Sequence, residues 1–263
     1  MDPRVPDAHL HLFDLESSSP GSIRKLAEEE SSGRGRRRAS ACHDRAEFEA
    51  TEAYRSEGLS FDLSFGIHPQ HAVWDDAEFL ANLARQGRIA AIGECGFEFF
   101  GDRPAWTRTA GNEKLQRAVF EFQIGVARER DLPVVIHQRK ALDLVFAYTR
   151  DLKRLPAVVF HAWAAPPREA EALLARGIHA YFSFGTPILN GNKKAAASCA
   201  GLPDGAVLLE TDAPWQPPRG ERLCLPAHLD RVLASAATLR GVEPGALSEL
   251  VELNYAAVFG PPR

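Results

Sequence analysis

Short apolar runs recur along the chain, each separated from the next by a longer polar or amphipathic stretch. The runs predict strands at Val5–His9, Phe61–Ile67, Ile89–Gly93, Pro133–Ile136, Ala157–Phe160, His179–Phe184 and Ala206–Leu209. The stretches between them predict crossover helices over Asp76–Gln86, Asn112–Arg130, Lys140–Arg154, Pro167–Arg176 and Pro226–Leu239. Strand and helix in alternation is the signature of a parallel sheet with helices on its faces. Several of the runs are continuously rich in Val, Ile or aromatics, as strands buried on both faces tend to be.

One strand is poorly marked. Between Leu15 and Ser60 the chain is rich in Ser, Glu and Arg, and its best candidate is Arg37–Cys42. With that strand the count reaches eight and closes a (β/α)8, TIM-type α/β barrel; without it an open sheet is the alternative. Within the same region, Ser31–Arg38 (SSGRGRRR) reads first as a mobile, solvated loop. Its functional reading is a phosphate-contacting patch at the mouth of the site.

Composition narrows this picture without changing it. A length of 263 residues suits one barrel, so a single domain over 1–263 is expected, with 15–60 as its irregular part. The formal net charge of −4 argues against a broad electrostatic footprint for nucleic acid but leaves room for a local cationic groove. Cys42, Cys95, Cys199 and Cys224 form neither a disulfide framework nor a zinc ribbon, which points to a reducing compartment. No apolar stretch reaches the roughly 20 residues of a membrane helix, and the N-terminus lacks a signal-peptide core. The expected location is the cytoplasm, with no membrane and no evident protein partner.

The chemistry lies in how the runs end. His9 and His11 close the first run two residues apart, so a strand puts both imidazoles on one face. Glu94, His137, His161 and Asp212 each follow a separate apolar run. One histidine at a strand end is most simply a satisfied polar residue. Five strands ending in a metal-ligand residue type are a different matter, because all C-terminal strand ends of a barrel converge on one face. Four histidines and two carboxylates exceed what one tetrahedral zinc uses and suit two divalent ions about 3.5–4 Å apart with Glu94 shared between them. Such a pair lowers the pKa of a bound water and neutralises charge on a substrate oxygen, which implies hydrolysis. Zn²⁺, Mn²⁺ and Mg²⁺ are the candidates.

These residues sit in blocks that resemble the TatD family of metal-dependent deoxyribonucleases, within the amidohydrolase-like barrels. The blocks are DAHLHLFD (Asp7–Asp14), GIHPQHA (Gly66–Ala72), IGECGFEFF (Ile92–Phe100), QRAVFEFQIGVA (Gln116–Ala127), PVVIHQRKA (Pro133–Ala141), FHAW (Phe160–Trp163), LLETDAPW (Leu208–Trp215) and NYAAVFG (Asn254–Gly260). The resemblance implies that His9 and His11 bind one ion and His137 and His161 the other, with Glu94 bridging. It implies that Asp212 binds an ion and holds or deprotonates the attacking water. His68 would contact the substrate phosphate or stabilise charge; a residue that merely caps the strand before Pro69 is the plainer reading. Arg139 would bind an anion, and a surface ion pair is equally open to it. For Phe97, Phe99 and Phe100 packing is favoured, whereas Trp163 and Trp215 are candidates for base stacking. Cys95 reads as a small buried hydrophobe.

The chain departs from the family pattern at Phe97-Glu98, where Leu-Asp is usual, at Lys140 (Asp), at Ala165 (Gly) and at Cys224 (Asn). These changes spare the six ligands and alter the expected substrate rim. The leading expectation is a DNase acting on phosphodiesters of DNA, from a single-stranded end. The alternatives are a metal-dependent hydrolase of another ester, amide or small phosphoester, and a non-catalytic metal-binding or scaffold protein.

Overall fold

The computed structural model describes residues 4–261; residues 1–3, 262 and 263, included in the domain expectation, lie outside it. The strands are β1 (Asp7–Leu10), β2 (Arg38–Cys42), β3 (Asp62–Phe65), β4 (Ala91–Glu98), β5 (Val134–Arg139), β6 (Val158–Phe160), β7 (Ala180–Phe184) and β8 (Val207–Leu209). They pair in parallel in simple sequence order. The circuit is joined just beyond β8, where the Asp212 amide donates to the His9 carbonyl at 2.9 Å and the His11 amide to the Ala213 carbonyl at 2.8 Å. Thr211 adds two hydrogen bonds to Asp7, at 2.9 Å from its amide and 2.6 Å from its hydroxyl. The result is a (β/α)8 TIM-type barrel, and the weakly marked strand at Arg37–Cys42 exists.

Strands buried on both faces explain why the runs were legible: β1, β4, β6 and β8 have no exposed residue. Two strands depart from regular pairing. Ile92 and Cys95 of β4 stand opposite Val134 and Ile136 of β5, so three steps on one strand match two on the other. Asp7 and Leu10 of β1 stand opposite Arg38 and Ser40 of β2, with the same surplus. Each is a bulge, which re-aims side chains locally, and each falls where the sequence places a ligand, at Glu94 and at His9. The bulge also corrects the expected end of the fourth strand: β4 continues to Glu98, and Glu94 lies within it.

Close approach of β4 to β5 depends on glycine. A Cβ on Gly93 would lie 2.7 Å from both the Cβ and the carbonyl oxygen of Val135, and one on Gly96, whose φ is +135°, would collide with the His137 carbonyl oxygen.

The 15–60 region is more regular than its composition suggests, with helices at Leu12–Ser18, Ser22–Ser31 and Arg45–Ala53. Helices at Lys193–Gly201 and Pro244–Phe259 were likewise unmarked, and the expected helix Lys140–Arg154 is two short ones, Leu142–Ala147 and Thr149–Leu152. The reading of Ser31–Arg38 as a solvated loop fits residues 31–34, which are exposed, whereas the phosphate-patch reading needs correction. Arg36 pairs with Asp230 at 3.0 Å, Arg37 with Glu252 at 3.0 Å, and buried Arg38 with Glu30 at 2.8 Å. Because Arg38 stands opposite Asp7 at the amino end of β1, this run lies at the barrel end remote from His9 and His11. Its second half, Arg36 to Arg38, is a paired structural seam there and not a patch at the mouth. Among the described residues no helix is long and apolar enough to cross a membrane.

Candidate metal centre

Every predicted ligand arrives at the carboxyl end of the barrel, and Glu94 is the residue they share. Its Oε1 lies 3.2 Å from His9 Nε2 and 3.3 Å from His11 Nε2. Its Oε2 lies 3.2 Å from His137 Nδ1 and 2.7 Å from His161 Nε2, and those two nitrogens are 3.2 Å apart. Asp212 Oδ1 closes the first group, 3.3 Å from His11 Nε2 and 3.8 Å from His9 Nε2. Thus one carboxylate turns an oxygen to each of two donor groups.

These spacings fit metal ligation. Metal–ligand bonds near 2.1 Å in tetrahedral geometry place donors about 3.4 Å apart, close to the separations found in both groups. Burial supports the same reading, since His9, His11, Glu94, His137, His161 and Asp212 are all buried. So many donors with so few protons to share leave lone pairs facing one another, and cations relieve that repulsion.

In the metal-free protein the pocket attracts protons instead. Burial pulls the His161 imidazole down, but the Glu94 charge, the contact with Glu94 at 2.7 Å and the nearby Glu210 carboxylate outweigh it and hold the group well above its usual range. For His11 burial is likewise outweighed, by Asp212 and Glu94, and the group is pushed up to about 9. Burial raises Glu94 and Asp212, yet the surrounding imidazoles win: Glu94 falls well below the carboxylate range and Asp212 to about 2.

One outward nitrogen is held by a carboxylate, and the other faces one without a hydrogen bond. Glu98 Oε2 lies 3.0 Å from His137 Nε2, and Glu210 Oε1 lies 3.8 Å from His161 Nδ1 while accepting from the Ala162 amide at 2.7 Å. Carboxylates behind ligating imidazoles fix the ring and raise its basicity. Neither residue, nor His43 beside the first group, was given a role from sequence; Glu98 was noted only as a departure from the family pattern. Glu98 and Glu210 stand in the quoted blocks, four residues from Glu94 and two from Asp212, and that placement was the available signal. Asp7, pushed up to about 7 by burial against the hydrogen bonds from Thr211, holds β1 to the segment after β8.

His68 meets the expectation of a pocket residue. Its Nδ1 accepts from the Gln70 amide at 3.2 Å, which leaves the proton on Nε2, 3.6 Å from Glu94 Oε2. Burial and the nearby His137 pull its pKa well below the usual range, so it is a neutral donor. It also caps the turn Pro69–His71, as the plainer reading of it expects. Arg139 lies at the rim with its guanidinium 4.2 Å over the Phe100 ring and 3.9 Å from Glu98. Trp215 is half exposed and donates to Asp14 at 3.2 Å.

Three rim expectations fail. Trp163 is 1% exposed, wedged against Phe160 and Phe182 with its indole N–H on Ser198, so no face is free to stack on a base. Phe100, expected to pack, is 46% exposed. Cys224 is buried, its thiol 3.2 Å from the Thr211 carbonyl, so that departure is an interior change and not a rim one. Phe97 and Cys95 are buried as expected.

Comparison with known proteins gives the same picture. The family model described as TatD related DNase matches residues 6–260. The chain is 33% identical over 211 residues to a 3'-5' ssDNA/RNA exonuclease TatD of Erwinia billingiae (strain Eb661), covering 75% of this chain and 77% of that one. It is 30% identical over 205 residues to the protein of the same name from Klebsiella pneumoniae (strain 342), covering 74% and 75%. Among solved structures, a TatD homologue from Escherichia coli k12 superposes over 100% of both chains with a TM-score of 0.84 at 24% identity.

Proposed function

The chain belongs to the family of TatD-related DNases, and from that premise we propose that it hydrolyses phosphodiester bonds at an end of single-stranded DNA with two divalent ions bound. It is a metal-dependent hydrolase of nucleic-acid ester bonds. The observation that carries the two-ion reading is the division of Glu94, one oxygen toward His9 and His11 and the other toward His137 and His161. Divalent ions in such a site supply a water of lowered pKa and neutralise charge on the phosphoryl oxygens. Zn²⁺, Mn²⁺ and Mg²⁺ are the ions to test.

The remaining roles belong to the chain itself. Asp212 turns Oδ1 toward His9 and His11, while its Oδ2 is held by the Gln216 side-chain amide at 2.5 Å. That orientation suits it to hold the attacking water and take its proton. The His68 Nε2–H is placed to donate to a phosphoryl oxygen. At the rim, Arg139 and Lys140 flank the exposed Phe100 ring, at 4.2 and 5.9 Å from its centroid. A cationic edge around an aromatic face suits an unpaired base and its phosphate, and Trp215 offers a second exposed ring.

The relatives' names add RNA to DNA and give a 3'-5' direction, which supports an exonucleolytic reading here. We assign this chemistry to one barrel domain, supported by the family match over 6–260 and the unbroken circuit of strands. A cytoplasmic location is supported by four buried cysteines without a disulfide. The test is chelator-stripped protein reloaded with each ion and given a 3'-tailed single-stranded oligonucleotide, with small esters in parallel. Metal-dependent release of nucleotides is expected. Turnover of the esters alone, or of neither substrate with any ion, overturns the proposal.

A further inference from the structure

His43 follows β2 directly, at the same rim as the other imidazoles. Its Nε2 is 3.2 Å from Glu94 Oε1, the oxygen that His9 and His11 also face. Its ring centroid is 5.3 Å from that of His11 and 4.8 Å from that of His68. One ligand atom from each of His11, His43 and Glu94 lies within 4.8 Å of the other two.

The environment of the ring decides what it can do there. A neutral imidazole has one N–H and one lone pair. Glu47 Oε2 lies 3.7 Å from His43 Nδ1 and accepts from the His43 amide at 2.7 Å, so a carboxylate stands ready to take the Nδ1 proton when a cation occupies the Nε2 side, now 3.2 Å from Glu94 Oε1. The Nε2 lone pair then faces a carboxylate oxygen, an arrangement made favourable by a cation between them. The same construction recurs twice in the pocket. His161 has Glu210 behind it at 3.8 Å, and His137 has Glu98 behind it at 3.0 Å. An outward carboxylate on an inward-facing imidazole is the usual support of a metal ligand.

We propose that His43 is a further ligand of the ion held by His9 and His11, so that this half of the centre takes donors from His9, His11, His43, Glu94 and Asp212. The proposal rests on the metal-bound reading above, and it makes the two halves unequal. The half at His9 and His11 becomes five-coordinate from protein atoms, whereas the half at His137 and His161 keeps positions open to substrate and water. Glu47 is a positioning residue in this arrangement.

The test is titration of chelator-stripped, full-length protein with Co²⁺ in the absence of nucleic acid, followed by calorimetry and visible absorption, with circular dichroism as a check of folding. Wild type should take up two ions. In His43→Ala one of the two affinities should fall about tenfold or more, and the Co²⁺ absorption should intensify as that ion passes from five to four ligands. His43→Gln, which fills the same space without an imidazole, should show the same loss. Glu47→Gln should weaken the same affinity by less. Two ions bound with unchanged affinities and an unchanged spectrum in both His43 variants overturn this proposal and leave the two-ion reading standing. One ion bound by wild type and weakened by both variants does the reverse.

Discussion

Glu98 Oε2 meets His137 Nε2 at 3.0 Å, on the edge of the imidazole turned away from Glu94. The same oxygen accepts from the Gln70 side-chain amide at 3.1 Å, and Glu98 is completely buried. Its other oxygen accepts from the Phe100 amide at 2.8 Å, so an amide in its place both lowers the basicity of His137 and sets a new N–H against one of these donors. Glu98→Gln is expected to weaken metal affinity about 10- to 100-fold, with activity recovering at saturating ion. Chelator-competition titration and activity against ion concentration check this; unchanged affinity refutes it.

Asp212→Asn keeps the side chain's volume and removes its ability to take a proton. Turnover should fall by about 10²–10⁴-fold, with the thermal unfolding midpoint of the metal-loaded protein little altered. Single-turnover kinetics beside a melting curve separates the two effects, and full activity in this variant contradicts the assigned role.

Metal uptake should expel protons. In the metal-free protein His11 is pushed up to about 9, so near neutral pH it keeps a proton that ligation must remove. Calorimetric enthalpies should vary with the ionisation enthalpy of the buffer, giving release on the order of one proton or more per chain. The sign for stability follows from the raised value. The protonated His11 contributes fully below its ordinary value of 6.5 and loses that contribution as the pH rises through about 9. Melting of the chelated protein should decline over that window, whereas the loaded enzyme should lose activity below about pH 5–6 as its imidazoles protonate. A buffer-independent enthalpy counts against the scheme.

The rim makes a separate demand. Arg139→Ala and Lys140→Asp should each raise KM for single-stranded substrate and flatten its salt dependence by about 0.7 in log–log slope per lost phosphate contact. Phe100→Ala should cost roughly tenfold in KM with kcat much less affected. An equal loss on a dinucleotide too short to reach the ring would remove Phe100 from the binding surface.

Gly96→Ala tests the packing beneath the centre. A methyl group there collides with the His137 carbonyl oxygen at a φ of +135°, so destabilisation of about 1–3 kcal/mol is expected, with weakened metal binding. Urea unfolding measures the first and ion titration the second; wild-type values for both would show that β4 and β5 can separate at no cost.

How much of this the sequence carries depends on the kind of residue. Glu94, His137, His161 and Asp212 were legible because each follows an apolar run that a doubly buried strand requires, and a barrel brings such ends together. His43 follows Arg-Ala-Ser-Ala-Cys, a β2 sequence with little apolar contrast, and so its strand was marginal and the histidine after it passed unnoticed. The polar helix Ser22–Ser31 buries only Ile23 and Leu26, too few positions to show a period. Trp163 was misjudged because adjacency to His161 does not say which way a side chain turns. The chain reverses at Ala162, whose φ is +48°, and the indole enters the core.

The arginines at 36 and 37 fasten the early part of the chain to Asp230 and Glu252 near its end, at the floor of the barrel. The loops around the imidazoles are fastened by other bonds, such as Trp215 to Asp14 at 3.2 Å and the Arg219 amide to Asn190 at 2.8 Å. Exchanges at loop positions outside those bonds leave the floor untouched, so the range of substrates can drift while the frame persists.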